Sequence, residues 1–206
     1  MTFDFYDDLS NPHGYPEKIL IPNAEIYYFK GFFTQSESRL MFAQLRKKIY
    51  WKQERISSFG RERDLPRLTA WYGDQSKTYS YSGITVHSRD WIPELWEIKR
   101  RIEIVSDCTF NGVLLNRYRN GSDSVSWHAD DEPELGQNPV IGSVSFGEER
   151  VFMMKHKSLN EKCDILLENG SYFLMRGGTQ EHWVHQIAKS KYGLAERINL
   201  TFRKII

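Results

Sequence analysis

The sequence predicts a mainly β protein, a sandwich or jelly roll, with two N-terminal helices covering one outer face. Three observations carry that expectation. Short strand-like runs at 111–118, 125–128, 140–146, 150–156, 164–168, 171–175, 182–187 and 197–204 follow one another with turn signals between them. Helical periodicity is confined to two stretches of the first half, 34–50 and 91–107. Aromatic residues are abundant, 12 Phe, 6 Trp and 11 Tyr among 206 residues, which suits a packed β-rich core, a stacking surface or both.

The elements follow in order. Residues 1–22, with Asn11-Pro12-His13-Gly14 and further prolines at 16 and 22, read as an extended arm. A single domain over 23–206 follows, with helices and hairpins over 23–109 and the strand-rich core over 110–206. Ala24–Phe29 is a strand candidate. Thr34 and Glu37 form a capping box that opens a helix to about Tyr50, with Phe42, Leu45 and Ile49 at helical spacing. Hairpin-like segments follow at 56–60, 67–72 and 79–82. The second helix has Asp90 as its expected cap, Pro93 in its first turn, and an inner face of Leu95, Ile98, Ile102 and Val105.

Composition narrows the function classes. A chain of this length buries roughly 70% of its unfolded surface and needs no disulfide or metal merely to fold. The 28 Lys plus Arg against 27 Asp plus Glu leave a net charge of +1, which excludes a polycation that coats nucleic acid by charge alone. A content of 40% hydrophobic and 27% charged residues excludes a wholly disordered chain. Cys108 and Cys163 form no Cys-x-x-Cys pair, so thiolate zinc and thioredoxin chemistry lack support and a reducing compartment is expected. The acidic start, Met1 to Asp8, has no apolar run, and no stretch approaches the ~18 apolar residues of a membrane span. A soluble monomer without a membrane partner is expected, cytoplasmic in a bacterium or nuclear in a eukaryote, and not secreted.

Chemistry concentrates in the second half. In Ser126-Trp127-His128-Ala129-Asp130-Asp131-Glu132, residues two apart on an extended strand share a face, so His128 and Asp130 can take adjacent positions on one metal. His-x-Asp alone is a common accident. His185 is the best third ligand, and His182 is its rival on the opposite strand phase. Two His and one carboxylate suit non-haem Fe(II) that binds O2 and a chelating co-substrate. In Arg197-Ile198-Asn199-Leu200-Thr201-Phe202-Arg203 polar and apolar residues alternate strictly. Read alone, this is an edge strand with a solvated polar face. If buried, its two arginines need anions, and a dicarboxylate such as 2-oxoglutarate supplies them. Asn116 and Tyr118 share one strand face in the same way.

As an ordered set, Asn-x-Tyr, His-x-Asp, a distant His and Arg-x-Asn-x-Thr-x-Arg resemble the AlkB family of Fe(II)- and 2-oxoglutarate-dependent dioxygenases. The resemblance runs from about Leu20 onward and includes Leu65-Pro66-Arg67, Tyr72-Gly73-Asp74, Trp91-Ile92-Pro93 and Ser143-Val144-Ser145-Phe146-Gly147. It is strongest to the branch that holds the vertebrate duplex-DNA repair demethylase. It implies a double-stranded β-helix, with His128, Asp130 and His185 as iron ligands. It also implies that Asn116, Tyr118, Arg197, Asn199, Thr201 and Arg203 line the 2-oxoglutarate pocket, with Arg197 at the distal carboxylate and Arg203 nearer the metal.

The implied reaction removes a methyl from a base nitrogen of the 1-methyladenine or 3-methylcytosine type. O2 and 2-oxoglutarate are consumed; formaldehyde, succinate and CO2 leave. DNA is the expected partner, single- or double-stranded, with RNA, transfer RNA or protein methyl-lysine as alternatives. A metal-free jelly roll that binds nucleic acid without turnover is a third reading. The resemblance places Tyr79, Ser80 and Tyr81 in the substrate-recognition segment, with Tyr81 stacking on a flipped base opposite His128, and Asp131 beside the methylated base. Phe59 and Gly60 match a hairpin that wedges an aromatic into the base stack, although Arg61-Glu62-Arg63-Asp64 after them is charged. The loop Lys189-Ser190-Lys191 has two lysines where the duplex-specific relative has three basic residues. Residues 46–67 hold eight Arg or Lys against three acids, a candidate phosphate-tracking surface or a solvated face.

Overall fold

Alternating side chains sort most of the strands into two sheets that face each other. The computed structural model describes residues 15–58, 61–74, 78–81 and 84–206. The first half holds β1 (Glu17–Ile19), β2 (Glu25–Phe29), β3 (Arg55–Ser58), β4 (Arg61–Asp64), β5 (Leu68–Gly73), β6 (Thr78–Tyr81) and β7 (Ile84–His87). The second half holds β8 (Gly112–Tyr118), β9 (Val125–His128), β10 (Ile141–Gly147), β11 (Arg150–His156) and β12 (Lys162–Leu167). It continues with β13 (Tyr172–Arg176), β14 (Trp183–Ile187) and β15 (Arg197–Arg203). The helices are α1 (Gln35–Lys48), α2 (Pro93–Ser106) and the short α3 (Thr179–His182).

The major sheet has the order β1-β2-β13-β10-β15-β8-β5 and the minor sheet β12-β11-β14-β9. Two hairpins, β3-β4 and β6-β7, stand apart from both. Every strand ladder is antiparallel among the described residues. Two sheets face to face with helices on one side make the jelly roll that the strand count predicts.

Each face of the major sheet buries its own core. Val113 and Leu115 of β8, Val144 and Phe146 of β10, and Ile198, Leu200 and Phe202 of β15 meet Leu45 of α1 and Leu95, Ile98, Ile102 and Val105 of α2. Burying each such aliphatic side chain is worth about 1.5–3 kcal/mol. Between the sheets, Leu114, Tyr118, Ile141 and Phe173 pack against Phe152, Met154 and Ile187 of the minor sheet. The register pairs Arg197 with Tyr118 and Asn199 with Asn116, and sets Ser143 opposite Thr201 and Ser145 opposite Asn199. These polar residues therefore share one face of the major sheet, the face turned toward the minor sheet.

The capping box of α1 forms as the sequence predicts: Glu37 N–H donates to Thr34 Oγ1 at 3.3 Å, and Thr34 N–H donates to the Glu37 carboxylate at 2.7 Å. Arg101 of α2 donates to the same carboxylate at 2.8 Å, and Lys48 pairs with Glu94, so the two helices are tied at both ends. Three local expectations need correction. Asp90 does not cap α2; Ile92 occupies the cap without a side-chain bond, because Pro93 has its φ preset for the first turn and lacks an N–H to satisfy. Part of the stretch read as an arm is sheet, since Glu17–Ile19 pair with Ile26–Tyr28. The strand-rich half also contains helix, a 3-10 turn at Pro133–Leu135 and α3, and the strand expected from 182 starts at Trp183. No helix among the described residues is long and apolar enough to cross a membrane.

Candidate active site

The site lies where β9 closes the edge of the minor sheet against β14. Their register sets His128 directly across from His185, and the two imidazole centroids are 4.3 Å apart. Asp130 follows two residues after His128, beyond the end of β9, and is buried. One ligand atom from each of His128, Asp130 and His185 lies within 4.8 Å of the others. His182, the rival ligand, belongs to α3 instead and stacks on His156 at 5.8 Å.

Neighbouring groups orient each of the three. The Ser126 carbonyl lies 2.8 Å from His128 Nδ1 and can only accept, so Nδ1 carries the proton and Nε2 remains for a metal. The Asp130 backbone N–H donates to Gln180 Oε1 at 2.9 Å, and its Oδ1 accepts from Arg203 Nη2 at 2.7 Å. The Phe152 ring stacks on His185 at 4.8 Å. Burial alone would raise the Asp130 pKa. The Arg203 guanidinium and the two imidazoles override it and hold the carboxylate well below its usual range. Burial and the neighbouring His128 push His185 down to about 3, against the opposing pull of Asp130. An ionised Asp130 beside a neutral His185 is the protonation state a divalent metal requires of those two ligands.

A cavity of about 240 Å³ extends from these residues between the sheets. Asn116, Tyr118, Arg197, Asn199, Thr201 and Arg203 all line it. Asn199 Nδ2 donates to Ser143 Oγ at 2.8 Å, and Thr201 Oγ1 donates to Asn199 Oδ1 at 3.1 Å. Arg197 is 1% exposed; its Nη2 donates to Ser145 Oγ at 2.9 Å, while Nε and Nη1 have no hydrogen-bond partner of good geometry among the described residues. Burial pushes its pKa down to about 10, an effect Tyr118 opposes. A buried guanidinium with unmatched donors calls for an anion. The donor set thus fits both expected groups, a metal at the His-Asp-His cluster and a carboxylate at Arg197.

Three lining or supporting residues escaped the sequence reading. Arg67 is buried in the cavity wall, where Nε donates to Asn116 Oδ1 at 2.7 Å and Nη1 to the Ser124 carbonyl at 3.3 Å. That bond fixes the amide orientation of Asn116. Gln180, 1% exposed, holds Asp130 through the backbone bond described above. Glu132 lines the cavity, whereas Asp131, the acid expected there, points to solvent and pairs with Lys157 at 3.2 Å. The two-residue parity of His128 and Asp130 continues to Glu132, all three lining the cavity, so Asp131 has the outward phase.

The substrate-recognition expectations reach only partly into the described residues. Phe59 and Gly60 lie outside them. Arg61 opens β4, and Tyr79, Ser80 and Tyr81 lie in β6, with Tyr81 opposite Ile84; the side chains of these four lie outside the described residues. Four of the eight cations of the basic stretch at 46–67 are paired or buried within the fold. Arg46 pairs with Glu196 at 2.8 Å, Lys48 with Glu94, Arg55 with Asp64 at 3.0 Å, and Arg67 is buried. Lys189 and Lys191 are exposed.

Comparison with known proteins agrees with this geometry. The family model described as the 2OG-Fe(II) oxygenase superfamily matches residues 25–203. Over 196 residues the chain is 40% identical to the alpha-ketoglutarate-dependent dioxygenase alkB homolog 3 of Mus musculus, covering 88% of this chain and 66% of that protein. Over 185 residues it is 38% identical to the DNA oxidative demethylase ALKBH2 of Homo sapiens, covering 84% and 71%. The solved structure of OsALKBH1 superposes with a TM-score of 0.63 at 17% identity, over 91% of this chain and 99% of that one, and shares the fold. The chain belongs to the 2OG-Fe(II) oxygenase superfamily and, within it, to the AlkB family, whose members are Fe(II)- and 2-oxoglutarate-dependent dioxygenases. It spans about two thirds, 66%, of the length of the mouse relative.

Proposed function

We propose that the protein is an oxidative demethylase of N-alkylated nucleobases in DNA, acting on lesions of the 1-methyladenine and 3-methylcytosine type in direct-reversal repair. The observation that carries the reading is one cavity that joins the His128, Asp130 and His185 cluster to the buried, unmatched donors of Arg197. The relatives named as DNA oxidative demethylases support the choice of substrate.

In this reading His128, Asp130 and His185 hold Fe(II). The chemistry that Fe(II) supplies when bound is the activation of O2 at the expense of 2-oxoglutarate. Arg197 takes the distal carboxylate, and Asn116, Tyr118, Asn199 and Thr201 line the co-substrate's path toward the metal. Arg203 keeps Asp130 ionised and fixed in place. Glu132, at the cavity wall beside the metal cluster, offers a cationic alkylated base an acidic neighbour. The free thiols of Cys108 and Cys163 support a reducing compartment.

The test is succinate and formaldehyde release with Fe(II), 2-oxoglutarate and 1-methyladenine placed in single-stranded DNA, duplex DNA and RNA. Both products are expected from DNA, and His128→Ala is expected to lower them at least about a hundredfold by removing a ligand. Products from RNA alone would move the substrate to RNA. Succinate that is absent, or equal in His128→Ala, would sink the enzyme reading.

A further inference from the structure

Arg150 stands behind the cavity rather than in its wall, and it is 4% exposed. Along β11, Arg150, Phe152, Met154 and His156 are buried in alternation, so a cation occupies a core-facing position at the head of the strand. No ion pair accounts for it among the described residues: the nearby Asp123 carboxylate is held by Arg119 at 2.8 and 2.9 Å. Instead the guanidinium donates to three backbone carbonyls. Nη2 reaches Ala188 O at 2.6 Å and Asp123 O at 3.1 Å, and Nη1 reaches Asn120 O at 3.5 Å.

Those carbonyls belong to the two connections that matter most for the site. Asn120 and Asp123 lie between β8 and β9; Ala188 lies between β14 and β15. The connections also touch directly, with Ser190 N–H donating to Gly121 O at 2.8 Å. A side chain at Gly121 would meet the Tyr192 and Ser190 carbonyls, so the approach depends on glycine there. Arg150 also lies against Tyr118, its Cζ 5.6 Å from the ring centroid, while Arg197 Cζ lies 5.2 Å from the same ring. Two buried guanidiniums thus share one aromatic ring and repel each other. An anion at Arg197 relieves that repulsion.

We propose that Arg150 is a positioning residue for the dicarboxylate co-substrate: it fixes Tyr118, and through it Arg197, and adds positive field at the distal end of the cavity. The inference rests on the reading that Arg197 receives the distal carboxylate. Lysine keeps the charge but not the planar fork that spans both connections; glutamine loses the charge.

The experiment compares Arg150→Gln, Arg150→Lys and Arg197→Met with the parent, reading KM for 2-oxoglutarate, kcat, and the Mn(II) dissociation constant of the protein by direct titration. Arg150→Gln is expected to raise KM about tenfold while the Mn(II) constant stays within about twofold, and Arg150→Lys to recover part of the loss. An unchanged KM in Arg150→Gln, with a raised one in Arg197→Met, would overturn the role of Arg150 alone. An unchanged KM in Arg197→Met would overturn the reading beneath it. Equal weakening of 2-oxoglutarate and Mn(II) would mean a loosened scaffold and also overturn the proposal. Should the glutamine variant fail to fold, Arg150→Lys decides: a KM raised severalfold supports the proposal and an unchanged one removes it.

Discussion

His185 is a histidine kept neutral by its surroundings, which ties stability to pH in a predictable direction. Its ordinary pKa of 6.5 applies to the unfolded chain, and burial beside His128 pushes it to about 3 in the fold. Between those values the unfolded chain binds the extra proton, so the metal-free protein loses stability as pH falls from 6.5. The slope for one proton is at most about 1.4 kcal/mol per pH unit. Asp130, held below its ordinary 3.8, adds a loss of the same sign at still lower pH. Thermal unfolding of metal-free protein between pH 7 and 4 should show a falling midpoint, and His185→Asn should fall less steeply. Identical slopes in both proteins would remove the explanation. At this scale the sequence shows the ligands well, because His-x-Asp and a later His are chemically conspicuous. It hides Gln180 and Arg150, whose partners are backbone atoms far away in sequence. Strand parity does mark Arg150 as core-facing once β11 is located.

Among the elements, α1 shows how local chemistry specifies local structure. Thr34 and Glu37 satisfy each other's backbone donors, and Glu37 also anchors α2 through Arg101. Thr34→Ala is expected to cost about 1 kcal/mol by denaturant unfolding and to leave KM for 2-oxoglutarate unchanged, because no cap atom touches the cavity. A shift in KM would instead mean that the helix layer sets the pocket. The strand boundaries of the second half are legible for the same local reason: alternation and turn residues agree. The start of α2 misleads because Asp90 and Pro93 both signal a helix start and only the proline acts. Asp131 misleads because its expected place rests on the resemblance alone, whereas the two-residue parity of His128 and Asp130 continues to Glu132.

For the whole molecule, the metal cluster joins β9 to β14 and, through Arg203, the minor sheet to the major one. A ligand that binds only the folded state stabilises it by mass action. Mn(II) at about one hundred times its dissociation constant should add about 2.7 kcal/mol, read as a raised unfolding midpoint that a chelator reverses. His128→Ala should show no such rise. The two-sheet architecture was readable from strand count alone, whereas the pairing that brings residue 128 to residue 185 was not, since it depends on register across 57 positions of chain.

β15 lies between β10 and β8, with four polar residues on one face and three apolar ones on the other, all buried. Strand parity makes the two faces exchangeable only as a set. Losing or gaining one codon within β15 would reverse the facing of every residue on one side of the change, turning its polar anchors into the helix layer and its apolar residues into the cavity. Two codons would restore the faces but displace each anchor by about 7 Å along the strand. The connection at 188–196 is therefore where a change of length is expected to be tolerated, and the strand itself is expected to accept substitutions only.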